Sequence, residues 1–156
     1  MSPEIIQLIT SFFGSLGFAI IFNLRKKYLL CASIGGVACW GAYLLVCLLT
    51  DGVYVPTLVA SAVAALYAEV FARVLKVPAT ILFVSAIIPL IPGSSLFYTM
   101  SSVVSGDMAQ FSVVGSRTLY YVLGITSGLS IVWSAWYMLQ KLISNVLKNK
   151  EGINSK

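Results

Sequence analysis

Two prolines, a glycine and two serines interrupt the apolar stretch Ala79 to Gly106, in the run Ile87-Ile88-Pro89-Leu90-Ile91-Pro92-Gly93-Ser94-Ser95-Leu96-Phe97-Tyr98. A helix that crosses lipid satisfies its own backbone, whereas proline removes a donor and clashes with the turn before it. Such a break is tolerated at membrane depth only where protein or a water-filled cavity surrounds it. Transporters hold their solutes at breaks of this kind, because freed backbone groups and half-helix ends can meet a polar molecule. Pro89, Pro92 and Gly93, with Ser94, Ser95 and Tyr98 just after them, are therefore the candidate substrate-binding residues. The serines have a second use, since a serine hydroxyl can re-satisfy backbone that a nearby proline has freed.

This argument requires a membrane chain, and the composition provides one. Of 156 residues, 59% are hydrophobic and 10% charged, where a soluble domain has about 25% charged. That length holds four to six spans and no sizeable soluble domain. The net charge of +5 could suggest nucleic acid, but the basic residues form short clusters flanking apolar segments, which is the positive-inside pattern. The chain contains no histidine, which removes serine–histidine hydrolysis, histidine metal ligands and the usual proton shuttle. An aspartyl protease would need paired membrane aspartates, and Asp51 and Asp107 are predicted in loops. No glycine loop leads into lysine and serine or threonine, so ATP is not hydrolysed here. Cys31, Cys39 and Cys47 recur every eight residues on one predicted helix, about 12 Å apart along its axis. That spacing forbids a disulfide or shared metal and suggests small buried residues. The chain is expected to have no catalytic residues, metal or cofactor.

The expected fold is all-α: five transmembrane helices over about 3–22, 28–49, 55–75, 79–104 and 118–139, the fourth broken at Pro89–Gly93. A loop from Gly106 to Gly115 precedes the fifth. A basic tail, 141–156, follows it, beginning as an interfacial helix and ending in disorder. Helix one has its positive charges after the apolar run and contains Glu4, so it is expected to be retained and not cleaved as a signal peptide. Arg25, Lys26 and Lys27, then Arg73 and Lys76, then Lys141, Lys148 and Lys150 fall at one set of helix ends. Glu4, Asp51 and Asp107 fall at the other, which puts the N-terminus outside and the C-terminus in the cytoplasm. Only Arg117 is out of place.

Lipid provides no hydrophobic drive between helices, so small residues must let them approach. Ala60, Ala64, Ala68 and Ala72 recur every fourth residue on helix three, with Ser61 and Ala65 beside them. Gly124 and Gly128 repeat the pattern on helix five. These seams serve packing within one protomer or contact with a second subunit. Glu69 is the one carboxylate well inside a span, four residues before Arg73, so the two can pair on one face. The pair is either structural or functional, with Arg73 meeting a solute carboxylate and Glu69 neutralising it or coupling to protons. Asn23 ends helix one as a cap or a polar lining residue.

Gly17-Phe18-Ala19-Ile20-Ile21-Phe22-Asn23, Arg73 followed by Pro78, and Ile88-Pro89-Leu90-Ile91-Pro92-Gly93 with Tyr98 resemble the threonine/serine exporter family. The chain is similar to its short, stand-alone type, the small membrane subunit of two-component exporters such as the bacterial succinate exporter. The resemblance implies a bacterial cytoplasmic-membrane protein working with a larger subunit that carries the other helical half. It carries across Asn23, Arg73, Pro89, Pro92, Gly93 and Tyr98 as site residues. The turn after Asn23 reads Leu24-Arg25-Lys26, without the proline expected there, so the approach to helix two departs from the pattern.

The leading reading is a secondary exporter subunit for a small carboxylate-bearing metabolite: threonine or serine, or a dicarboxylate. Alternatives are a self-sufficient homo-oligomeric exporter or an accessory subunit that packs through its small-residue seams and touches no solute. The double-proline break argues against the last, because a scaffold gains little from an irregular span.

Overall fold

The computed structural model describes the backbone of residues 3–154 and the side chains of residues 3–144. It is all-helical, with α1 (Pro3–Ile21), α2 (Lys26–Cys47), α3 (Tyr54–Leu75), α4 (Ala79–Ile87), a 3-10 turn (Ile88–Leu90), α5 (Gly93–Ser105) and α6 (Met108–Asn154). Four of these, α1, α2, α3 and the Met108–Ser144 part of α6, are long and apolar enough to cross a membrane. The α4–α5 pair, bent by 59° at the prolines, makes a fifth if it is one span.

The first four helices form a bundle in which α2 lies between α1 and α3, and α4 rests on α2 and α3 with a smaller contact to α1. α6 lies along α3, while α5 leaves the bundle and packs on α6 alone. The interior is rich in small residues: Ala19, Ala32, Ala86 and the column Ala60, Ala64, Ala68 and Ala72 are buried beside a few large ones such as Leu82 and Leu90, and many large side chains, among them Leu30, Leu45 and Val74, face outward. A soluble protein does the reverse. In lipid, close backbone approach replaces apolar burial as the source of contact.

The tightest approach is α3 on α6. A Cβ on Gly124 would collide with Thr57 Oγ1 and the Tyr54 carbonyl oxygen, and one on Gly128 with Ser61 Oγ and the Leu58 carbonyl oxygen. Hydroxyls bridge the same seam: Ser61 Oγ donates to the Gly124 carbonyl at 3.4 Å, and Tyr54 donates to Ser127 Oγ at 3.3 Å. The alanine column and the glycine pair are thus both used for packing inside the chain.

Three expectations are corrected. The loop ending at Gly115 is only Gly106-Asp107, so α6 begins ten residues before Thr118. Gly106 closes α5 in the left-handed conformation (φ 74), with Asp107 N–H bonded to the Ser102 carbonyl at 3.0 Å. Asp107 Oδ1 then accepts the Gln110 N–H at 2.9 Å and caps α6. Gly115 sits inside the helix, where it faces Thr99 of α5. The tail likewise continues as helix to Asn154; residues 155–156 lie outside those described. The cysteines also differ in kind. Cys39 is buried and Cys31 half-buried, but Cys47 is exposed. It lines a cleft of about 580 Å³ with Asp51 and Arg117, so the displaced arginine shares its surroundings with a carboxylate.

Gly128→Ala is expected to destabilise the protein by about 1–3 kcal/mol through overpacking. Gly17→Ala, where nothing lies within 4 Å of the added Cβ, should be neutral or stabilise by up to about 1 kcal/mol. Thermal unfolding in detergent compares them, and equal shifts would contradict so close a crossing.

Candidate functional site: the proline break and the face of helix one

The break follows from its residues. Pro89 has no N–H to give the Ser85 carbonyl, so α4 tightens into the 3-10 turn, closed by Ile91 N–H to the Ile88 carbonyl at 3.2 Å. Ile91 is extended (ψ 122), as the residue before a proline prefers. α5 restarts at Gly93 with no side chain capping its N-terminus. Its first turn therefore presents backbone donors and the positive end of a half-helix dipole.

Against this break lies α1. A cleft of about 180 Å³ is lined by Gln7, Thr10, Ser11 and Gly14 of α1, Trp40 of α2, and Ile88 and Pro89. Trp40 Nε1 donates to Gln7 Oε1 at 3.3 Å. The Trp40 ring stacks on Tyr43 (centroids 4.8 Å apart), whose hydroxyl meets that of Tyr121 on α6 at 2.9 Å. Thr10 and Ser11 return their hydroxyl protons to carbonyls of their own helix, leaving their oxygen lone pairs as acceptors. One turn further along α1, Ser15 is fully buried and its Oγ has no hydrogen-bond partner. It occupies the space a Cβ on Gly36 would need.

These α1 residues escaped the sequence reading, although a signal was present. Gln7, Ser11, Ser15, Ala19 and Asn23 recur every fourth residue, a polar-to-small stripe that winds slowly along the helix. Its middle members, Ser11, Ser15 and Ala19, are the buried residues of α1.

The predicted site residues fall in three places. Pro89 joins the cleft and Pro92 is half-buried beside it, while Gly93, Ser94 and Tyr98 (56% exposed) lie on the open side of α5. Ser95 is turned towards α6: its carbonyl accepts Thr99 Oγ1 at 2.7 Å, and Thr99 meets Thr118 Oγ1 at 3.1 Å. Asn23 is at the basic end of the bundle, in the left-handed conformation (φ 55), where it ends α1 with Leu24 N–H on the Ala19 carbonyl at 3.0 Å. It is thus a cap, and it also lines a second cleft.

Arg73 is at the basic end too, on a different face. Its guanidinium lies over the Trp136 ring at 4.6 Å. With its amide assigned so that both donors are met, Gln140 would accept from Arg73 Nη2 and from Trp136 Nε1, the latter at 2.8 Å. The pairing with Glu69 is not formed: Glu69 is half-buried on α3, and Arg73 turns to α6 instead. The nine residues of α4, about 13 Å of helix, separate this end from the break. Arg73→Ala is expected to cost roughly 0.5–1 kcal/mol of stability, with Arg73→Lys retaining part of the contact. Unchanged thermal stability in Arg73→Ala together with lost transport would assign the arginine to the solute.

With the geometry in place, comparison with known proteins gives one result. The family model described as threonine/serine exporter, ThrE, matches residues 7–135, and the chain belongs to that family. The comparisons with curated proteins and with solved structures returned no match. The matched region runs from the first cleft residue, Gln7, through the break to the α6 segment packed on α3. The family is one of transporters.

Proposed function

We propose that this member of the threonine/serine exporter family is the small subunit of a two-component secondary exporter. It moves threonine or serine, or a dicarboxylate such as succinate, out across the bacterial cytoplasmic membrane. The observation that carries this reading is the break itself, because a double-proline interruption faces polar groups of α1 across a cleft in the bundle. A solute carboxylate would take the open N–H groups of Ser94 and Ser95 at the start of α5, the Gly93 N–H being already bonded to the Ile91 carbonyl at 2.8 Å. Gln7, Thr10 and Ser11 would provide hydroxyl and amide partners from the other wall. Arg73 and Asn23 act from the basic end, where a cation draws anionic solutes towards the bundle. Proton or solute gradients supply the energy.

The larger subunit enters through what the chain leaves open. Among the described helices α5 touches α6 alone, and Gly93, Ser94 and Tyr98 are exposed on a segment that this reading puts at membrane depth. Polar backbone at that depth needs protein or a water-lined cavity beside it, and a second helical half would close the cavity and bring its own groups to Tyr98. In this arrangement the N-terminus faces out and the end with Arg25, Arg73 and Lys76 faces the cytoplasm.

Efflux of labelled threonine, serine and succinate, from cells lacking their own exporter, tests the reading. The chain is expressed alone and then with the larger family subunit, and efflux is expected only with both. Efflux from the chain alone would establish a homo-oligomeric exporter, and none in either case would favour an accessory role. Gln7→Leu and Trp40→Phe should each lower efflux about five- to tenfold at unchanged membrane abundance, roughly the loss of one hydrogen bond. A Cβ added at Gly93 meets nothing within 4 Å, so loss of efflux in Gly93→Ala or Gly93→Val at unchanged abundance is expected to report the solute or the partner; full activity would remove Gly93 from the pathway. For orientation, Cys47 in a chain without Cys31 and Cys39 should react with an impermeant maleimide in intact cells. Lys76→Cys should react only after permeabilisation, and the reverse result would invert the topology.

A further inference from the structure

The second cleft, at the basic end, has a different chemistry from the break. It encloses about 360 Å³ between the ends of four helices and is lined by Phe22, Asn23, Arg25, Tyr28, Lys76 and Ile81 among others. We propose that it is a binding site for an anionic phospholipid, with the lipid phosphate held between Arg25 and Lys76 and an acyl chain laid over Phe22 and Ile81.

Charge is the first argument. Arg25 and Lys76 both line the cleft, Lys26 and Lys27 follow in the first turn of α2, and no carboxylate is among the lining residues. Lys27 is directed onto the Tyr28 ring, its Nζ 4.7 Å from the centroid, which keeps that cation at the wall of the cleft. Tyr28 is held in turn by its hydroxyl, which donates to the Leu75 carbonyl at 3.2 Å. An uncompensated group of cations around a cavity favours an oxyanion.

Backbone geometry is the second. The two non-glycine residues with positive φ among those described are Asn23 (φ 55) and Lys76 (φ 54), and both line this cleft. Each reverses the chain after a helix, so α1 and α3 end at the cleft while α2 and α4 begin there. The N-caps of α2 and α4, Arg25 and Pro78, both line the cleft, so the positive ends of two helix dipoles meet there. A phosphate suits that paired positive field as well as the two cations.

The apolar wall decides between a lipid and a water-soluble anion. Phe22 is 49% and Ile81 39% exposed, and both line the cleft. A small carboxylate or free phosphate gains nothing from an exposed phenylalanine and isoleucine next to its charge, whereas a phospholipid uses both surfaces. Leu82, fully buried, forms the floor, so the site is a shelf open towards the membrane and closed towards the bundle. The assignment depends on neither the exported solute nor the partner subunit.

The test is native mass spectrometry of the full chain in detergent, titrated with phosphatidylglycerol, with zwitterionic phosphatidylethanolamine and with inorganic phosphate. One phosphatidylglycerol per chain is expected to be retained in preference to phosphatidylethanolamine. Arg25→Gln combined with Lys76→Asn, asparagine being tolerant of positive φ, should weaken retention roughly thirtyfold, the effect of two cations near a membrane surface. Arg25→Lys should stay within about threefold of the parent. Lys141→Gln with Lys148→Gln removes the same charge elsewhere and should leave retention unchanged. Equal loss in the two double variants, or equal retention of the two lipids by the parent chain, would overturn the site. Displacement of phosphatidylglycerol by millimolar inorganic phosphate would also overturn it, in favour of a soluble oxyanion. Should the Arg25/Lys76 variant fail to fold, the parent chain's preference between the two lipids still decides.

Discussion

When apolar helices meet in lipid no water is released, so the crossing of α3 and α6 has to be held by contact distance and a few hydroxyls. Gly124 and Gly128 supply the distance; Tyr54, Ser61 and Ser127 supply the hydroxyls. Much of the chain's second half takes its position from that crossing. It sets α6 so that Trp136 meets Arg73 and Tyr121 meets Tyr43. It also sets where α5 lies, because α5 touches the rest of the protein only through α6. The direction of the half-helix after the prolines is therefore fixed from two ends: by the break at Pro89–Pro92, and by a glycine pair about thirty-five residues later in the chain.

Four apolar helices and the break were legible because they rest on effects local in sequence: hydropathy over about twenty residues, and a proline's missing N–H. The Gly106-Asp107 turn was legible in principle, since Asp107 followed three residues later by Gln110 is a helix start. Gly115 reads as a breaker in the sequence, whereas it lies inside α6 facing Thr99, with room for an ordinary side-chain contact. The placement of Arg73 was not legible. Spacing puts Glu69 one turn before it on the same helix, but the contact it makes, with Trp136, is decided by how α6 crosses α3. The polar wall of α1 lay between the two cases: its four-residue rhythm is in the sequence, but nothing there says that this face meets the break.

The resulting division of labour separates charge from polarity. Cations gather at one end, around Asn23 and Lys76 and on the far side at Arg73. The interior near the break offers only neutral groups: an amide, hydroxyls, an indole and helix-end donors. A fixed buried charge would bind an anionic solute tightly and release it slowly, while neutral donors at a helix end compensate its charge without holding it as an ion pair. That pattern suits a protein that must let its cargo go.

The length of α6 has a mechanical consequence. Its 47 residues make a rod of about 70 Å, more than twice the hydrocarbon thickness. The rod's tightest contact, Gly124 and Gly128, lies nearer the Met108 end than the Asn154 end, so it works as a lever with unequal arms. From Gly124 the arms are about 24 Å and 45 Å. A rigid tilt of about 10° there moves the short end, with α5 attached, by about 4 Å, and the long end by about 8 Å. A push on the long arm thus arrives at the broken span halved in travel and doubled in force.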